Sequence, residues 1–134
     1  MNCAILEDAA KIFDKTGHVF VATVNAKAVP HVTAAEMFEV VGGNYIEIRE
    51  WFCPLTVSNL QVNRSISIVV WDPASDMGYQ LLGNMKKLCD EAIVNGYSPE
   101  LDVGIPKPQV ERRITICVDR VLDFSVAPHS DVEE

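Results

Sequence analysis

The sequence predicts a mainly β domain, built as a small antiparallel barrel with flanking helices. Its apolar runs are short and are joined by turn residues, whereas a parallel sheet would need helices alternating with the strands. In the run 65–71, Ile66, Ile68 and Val70 recur at every second position, as expected for a strand with one face inside a barrel. The chain has 134 residues, 49% of them hydrophobic, which suits one domain with a core.

The first elements follow in a clear order. Residues 3–15 predict an amphipathic helix, because Ile5, Ala9 and Ile12 lie on one stripe. After three strands, a short helix is predicted to begin at Pro54, since proline suits the first helical position. The strands are predicted near residues 19–25, 31–41, 44–49, 65–72, 78–88 and 113–124.

The second half of the chain carries mixed signals. Met85, Leu88 and Ala92 are spaced as on a helix, although a glycine and an asparagine just before them would interrupt one. We therefore predict a strand up to about Leu88 and a helix from Cys89 towards Asn95. Residues 95–108 contain three prolines and two glycines, which predict a loop.

Charge and composition exclude several partners. The net charge is −8, from 19 acidic and 11 basic residues, which disfavours binding to nucleic acid or to an anionic membrane surface. No apolar run approaches the roughly 20 residues that span a bilayer, and we recognise no signal peptide, so a cytoplasmic location is expected. We predict one domain over residues 1–126 and an acidic, disordered tail over 127–134.

The cysteines and histidines are scattered along the chain, so no metal site is expected. Cys53 is a special case, because a helix start favours the thiolate form of a cysteine. We prefer the interpretation that the cysteines are reduced, half-buried apolar residues, and keep a reactive Cys53 as the alternative.

The start of the Pro54 helix is the candidate binding site. A helix start presents unpaired backbone N–H groups and the positive end of the peptide dipoles, which together can hold a phosphate. The hydroxyl of Thr56 falls in that first turn. This pattern favours a site for a phosphorylated cofactor.

Four segments of the chain resemble a known family. Residues 21–24, 30–33, 58–68 and 78–83 are similar, in order and spacing, to the FMN-binding split barrels related to pyridoxamine 5′-phosphate oxidase. The likeness covers about residues 3–122. It implies a six-stranded antiparallel split β-barrel, a homodimer, and FMN at the dimer interface.

The resemblance also implies the site residues. The flavin ring would rest along the second and third strands, and the phosphate would meet the end of the third strand and the start of the helix after it. The residues are Thr33, Ala34, Ala35 and Glu36 beside the ring, Ile48, Arg49 and Glu50 at the strand end, and Pro54, Leu55, Thr56 and Asn59 in the helix. The family usually has a lysine or arginine at about Leu55 or Thr56, which this chain lacks, so Arg49 would have to substitute.

No acid–base or nucleophile constellation is evident, so any chemistry would be the cofactor's. The sequence therefore predicts an FMN-binding redox protein, an electron carrier or a small flavin oxidoreductase, with a small-molecule or protein redox partner. Glu36 and Glu50 would lower the flavin's midpoint potential if they lie within about one Debye length of the ring. The alternative is a split-barrel dimer that has lost flavin and acts as a ligand-binding or interaction module. The choice between FMN, haem and a deazaflavin stays open.

Overall fold

The structure, a computed structural model, describes residues 3–51, 53–96 and 107–132. It is mainly β, as predicted, with two helices and seven strands in this part of the chain. The helices are α1 (Cys3–Thr16) and α2 (Pro54–Val62), and the strands are β1 (Val19–Val24), β2 (Pro30–Ala35), β3 (Met37–Gly42), β4 (Tyr45–Trp51), β5 (Ser65–Asp72), β6 (Met77–Gly96) and β7 (Lys107–Asp123).

The seven strands form one antiparallel sheet in the order β2-β1-β5-β6-β7-β4-β3. Strands β2 and β3 lie at opposite edges of this sheet, yet only Glu36 separates them in the chain. The sheet must therefore curl until its two edges nearly meet, which gives a barrel that is split between β2 and β3. The predicted antiparallel split barrel is confirmed.

The strand count was predicted wrongly, because residues 31–41 do not form one strand. The chain bends at Glu36, so that β2 pairs with β1 while β3 pairs with β4. One straight strand cannot pair at both edges of a curled sheet. The bend at Glu36 lets the chain leave one edge and pair at the other. The barrel consequently has seven strands instead of six.

The helix predicted over residues 89–95 is also wrong. Strand β6 continues to Gly96, paired with β7, and its register shifts between Met85 and Lys87 and between Asp90 and Ala92. Each such bulge inserts one extra residue, so a spacing of two becomes a spacing of three, which imitates a helix. Strand β7 begins at Lys107, earlier than predicted, and most of the predicted loop at 95–108 lies outside the described residues.

The core lies between the concave face of the sheet and α1. The α1 stripe is confirmed, since Ala9 and Ile12 are buried and Ile5 and Phe13 pack against the core. Helix α1 packs on β3 and β5, and α2 packs on β1 and β2. Neither helix of the described chain has the length and apolar character needed to cross a membrane.

The described part of the tail has no helix or strand after Asp123. Asp76, in the turn between β5 and β6, accepts the backbone N–H groups of Val126 at 2.7 Å and of Ala127 at 2.8 Å. The start of the tail is thereby tied to that turn. Disorder of residues 127–134 stays a prediction.

Candidate functional site

The predicted helix start at Pro54 is confirmed. Cys53 is the N-cap residue and makes no side-chain capping bond, and Pro54 occupies the first helical position. The N–H of Val57 donates to the carbonyl of Cys53 at 3.1 Å. The amides of Leu55 and Thr56 precede this first intrahelical bond, as expected at a helix start.

A cleft of about 350 Å³ lies where β2, β4 and the turn after α1 meet. It is lined by Gly17, His18, Ala34, Ala35, Glu36, Arg49 and Glu50. The sharp turn at Gly17, whose φ is +76°, brings that end of α1 to the cleft. Residues from three separate parts of the sequence thus share one concavity.

Glu50 is the unusual residue of this cleft. Its side chain is 2% exposed, and no described residue makes a well-aligned hydrogen bond to either carboxyl oxygen. Burial raises the pKa of the Glu50 carboxyl. Polar contacts with Cys53 and Thr56 and the nearby His31 lower the pKa, but burial outweighs them. A buried carboxyl with only poorly aligned donors is costly to ionise, so it is suited to interact with a ligand or to hold a proton.

Cys53 does not carry the activated thiolate that its position at a helix start suggested. Burial, together with the Glu50 carboxyl, raises the pKa of the Cys53 thiol to about 12. The cysteine is therefore protonated near neutral pH and a poor nucleophile. The alternative of a reactive Cys53 is therefore not supported, because burial first and the neighbouring acid second favour the neutral thiol.

No protein-family model and no curated protein sequence matches this chain, but solved structures do. One is a protein from Clostridium acetobutylicum related to general stress protein 26 (pyridoxinephosphate oxidase family), with a TM-score of 0.65 and 12% identity over 99% of this chain and 96% of that one. Another is a pyridoxamine 5′-phosphate oxidase-related FMN binding protein from Nostoc punctiforme, with a TM-score of 0.65 and 10% identity over 94% of this chain and 84% of that one. An FMN-binding protein from Syntrophomonas wolfei has a TM-score of 0.63 and 16% identity over 93% of this chain and 89% of that one.

This chain has the split-barrel fold of the pyridoxamine 5′-phosphate oxidase-related proteins. The resemblance predicted from the sequence is therefore confirmed for the fold. At identities of 10–16% the likeness extends to the fold alone, so the site must be judged from this chain's own residues.

The split barrel brings together five of the predicted site residues, Ala34, Ala35, Glu36, Arg49 and Glu50. The side chain of Ile48 points instead into the core, where it is fully buried. Thr33 is half-buried on β2, opposite Val21 of β1.

The predicted helix residues divide into exposed and buried ones. Pro54 and Leu55 are exposed, whereas Thr56 is 0% exposed and its hydroxyl makes no well-aligned hydrogen bond in the described chain. Asn59 is buried and donates to the hydroxyl of Thr23 at 3.0 Å, which ties α2 to β1. The role of Thr56 as a phosphate contact stays a prediction, since its hydroxyl faces the protein interior.

Sequence reasoning missed Gly17 and His18 as lining residues of the cleft. They precede β1 and are far in sequence from the predicted site. The glycine after the amphipathic helix signalled a turn, but only the curled sheet places that turn beside Glu36 and Arg49.

Proposed function

We propose that this protein is an FMN-binding redox protein, an electron carrier or a small flavin oxidoreductase, which holds its flavin at a homodimer interface. The observation that carries the proposal is the cleft between Ala34, Ala35 and Glu36 on one side and Arg49 and Glu50 on the other. A planar ring can approach a strand closely where the side chains are as small as alanine. The fold is also that of proteins described as FMN-binding.

The phosphate of the flavin is proposed to lie between Arg49 and the start of α2. Arg49 lines the cleft, and a guanidinium matches the geometry of a phosphate well. The backbone amides of Leu55 and Thr56 would add the donors of a helix start. None of the nine residues of α2 is basic, so Arg49 supplies the charge that the family usually places there.

The outer face of β2, β1 and β5 supports the proposed homodimer. Its cross-strand rows are Ala34–Phe20–Val69 and Val32–Ala22–Ser67, and none of these residues is charged. Phe20 is 39% exposed and Val32 is 61% exposed. An uncharged, partly apolar face that adjoins the cleft through Ala34 suits contact with a second copy of the chain.

The protein would supply binding and electrostatics, and the flavin would supply the redox chemistry. Glu36 is exposed at the cleft, and its carboxylate would disfavour a reduced anionic flavin, which lowers the midpoint potential. The buried Glu50 would contribute less while it is protonated. A small-molecule or protein redox partner and a cytoplasmic location stay predictions.

Purification followed by spectroscopy and sedimentation tests the proposal. A yellow protein with flavin absorbance near about 450 nm, or one that takes up added FMN, is expected, in the form of a dimer. A colourless protein that takes up no flavin, or a monomer at micromolar concentration, would contradict it.

The second candidate is a split-barrel dimer without flavin, acting as a ligand-binding or interaction module. The absence of a lysine or arginine in α2 and the buried carboxyl of Glu50 favour this alternative, because both disfavour a phosphate. Uptake of haem or of a deazaflavin in place of FMN would identify a different cofactor on the same fold. A dimer that takes up none of the three would support the cofactor-free module.

A further inference from the structure

We propose that Glu50 is a specificity-determining residue of the cleft, which weakens the binding of a phosphorylated flavin relative to the same flavin without its phosphate. The inference rests on the proposed flavin-binding function and concerns which form of flavin the site prefers. Ionised Glu50 repels the phosphate of FMN, and protonated Glu50 accepts it. Riboflavin lacks the phosphate and is insensitive to this charge.

The position of the carboxyl carries the proposal. Glu50 lines the cleft beside Arg49, and the first turn of α2 touches it through Cys53 and Thr56. The carboxyl therefore lies between the cleft and the helix start, where a phosphate would be held. It is 2% exposed and accepts no well-aligned hydrogen bond in the described chain, so its charge, when ionised, is only weakly compensated.

The hydroxyl of Thr56 reinforces this argument. It is also fully buried, and its contact with the Glu50 carboxyl falls short of a well-aligned hydrogen bond. Two buried polar groups that satisfy each other only poorly therefore adjoin one helix start. Buried polar atoms without partners are rare in folded proteins and often mark a site that a ligand or a proton completes.

Titratable and charged groups from several elements lie around Glu50. They are His18 in the turn after α1, His31 on β2, Glu36 at the bend, Arg49 on β4, Cys53 before α2, and Arg112, which is opposite Glu50 on β7. The two arginines attract a phosphate, and the two carboxyls repel it. A phosphate carries close to two negative charges near neutral pH, so its binding next to Glu50 is expected to be coupled to uptake of a proton by that carboxyl.

The test is a flavin titration of three proteins with FMN and with riboflavin. The proteins are the wild type, Glu50→Gln and Glu7→Gln. Glutamine keeps the shape of glutamate and removes its charge. Glu7 is an exposed residue of α1, ten residues before Gly17 and hence about 15 Å along the helix from the cleft, so it controls for net charge alone.

In Glu50→Gln, the affinity for FMN relative to riboflavin should rise about tenfold or more, because a nearby like charge is removed. In Glu7→Gln the ratio should stay at the wild-type value. As the pH rises from the ordinary glutamate pKa through the raised pKa of Glu50, the wild type should lose affinity for FMN more steeply than Glu50→Gln does. Titration of the phosphate itself is common to both proteins and cancels in the comparison.

An unchanged ratio in Glu50→Gln, with riboflavin still bound, would overturn the inference and leave the flavin-binding function standing. An equal gain for both flavins would also overturn it, since Glu50 would then act on the ring. If no flavin binds to any of the three proteins, the proposed function itself fails, and the inference fails with it. If Glu50→Gln does not fold, Glu50→Ala in the same titration decides the matter, because it also removes the charge and riboflavin binding reports that the variant is folded.

Discussion

Two carboxyl groups of this protein, Glu50 and Asp76, are in opposite situations. Glu50 is buried at the start of α2, no described residue makes a well-aligned hydrogen bond to it, and burial raises its pKa. Asp76, in the turn between β5 and β6, accepts the N–H groups of Val126 and Ala127 and the indole N–H of Trp71 at 3.0 Å. These hydrogen bonds lower the pKa of Asp76.

Asp76 is thus a carboxyl that stabilises the fold, whereas Glu50 is one that is available to a ligand. The donors around Asp76 stabilise its charged form and fasten the tail to the sheet. Glu50 has no comparable set of donors, so ionisation there works against the folded state. An unsatisfied buried group is thus a better indicator of a site than a well-bonded one.

The largest expected effect concerns the cation beside Glu50. Arg49→Ala should weaken FMN binding by about tenfold to a hundredfold, because a hydrogen bond to a charged group is worth roughly 1.5–3 kcal/mol. Arg64→Ala, beyond the end of α2, is the matched control and should leave the affinity nearly unchanged. A flavin titration checks both variants, and equal affinities would remove Arg49 from the phosphate site.

The next largest expected effect is a change in the stability of the folded protein when Glu50 is replaced. The folded-state pKa of Glu50 lies above its ordinary value of 4.5, so the folded protein loses stability as pH rises from that value through the raised pKa. Glu50→Gln should remove this loss and raise the unfolding free energy at pH values above the raised pKa, because no carboxylate charge then has to be buried.

Denaturant unfolding across the pH range checks the Glu50 prediction. The advantage of Glu50→Gln should vanish below the ordinary glutamate pKa, where the wild-type carboxyl is protonated in both states. A variant that is less stable than the wild type at every pH would show that the carboxylate is stabilising, as at Asp76.

A smaller gain is expected from adding the missing base. Leu55 is 59% exposed at the second position of α2, so Leu55→Lys places its charge near the proposed phosphate but in contact with water. We expect FMN to bind about threefold to tenfold more tightly, less than a buried pair would give, because solvent weakens the attraction. Val62→Lys, at the exposed far end of the same helix, is the control and should bind FMN as the wild type does.

The smallest effect is expected at Asp76, the well-bonded member of the pair. Its folded-state pKa lies below the ordinary value of 3.8, so its contribution to stability is present above that value and is lost as pH falls through the lowered pKa. Asp76→Asn should accelerate hydrogen exchange at the amides of Val126 and Ala127, with little change in FMN affinity. Unchanged exchange at both amides would show that Asp76 does not hold the tail.

Part of the fold can be predicted from local sequence patterns, and the predictions made from such patterns are confirmed for the following features. The α1 stripe, the alternation in β5 and the proline that starts α2 depend on residues a few positions apart, so they can be recognised without knowing the rest of the chain. Where two register shifts interrupt β6, the same reasoning led to a false helix, because a bulge changes the spacing of residues without any marker in the sequence.

The candidate site was predicted from a resemblance, and the structure brings only part of it to one cleft. Ala34, Ala35 and Glu36 meet Arg49 and Glu50 there, as expected for neighbouring parts of a barrel. His18 was missed because a turn can be assigned to a cleft only when the sheet around it is known. Phosphate contact by Thr56 was predicted from its place in the first turn, but the side on which a helix packs decides whether a hydroxyl faces solvent.

The sequence by itself determined that this protein is an antiparallel β-barrel with a helix starting at Pro54, because these features follow from short-range periodicity and from the geometry of proline. Only the tertiary structure decided that the chain bends at Glu36, that β2 and β3 lie at opposite edges of one curled sheet, and that the carboxyl of Glu50 is buried with no well-aligned donor among the described residues. Burial and pKa depend on residues that are distant in sequence and adjacent in space, such as His31, Cys53 and Thr56 around Glu50. No local pattern encodes that neighbourhood, since the curling of the whole sheet creates it.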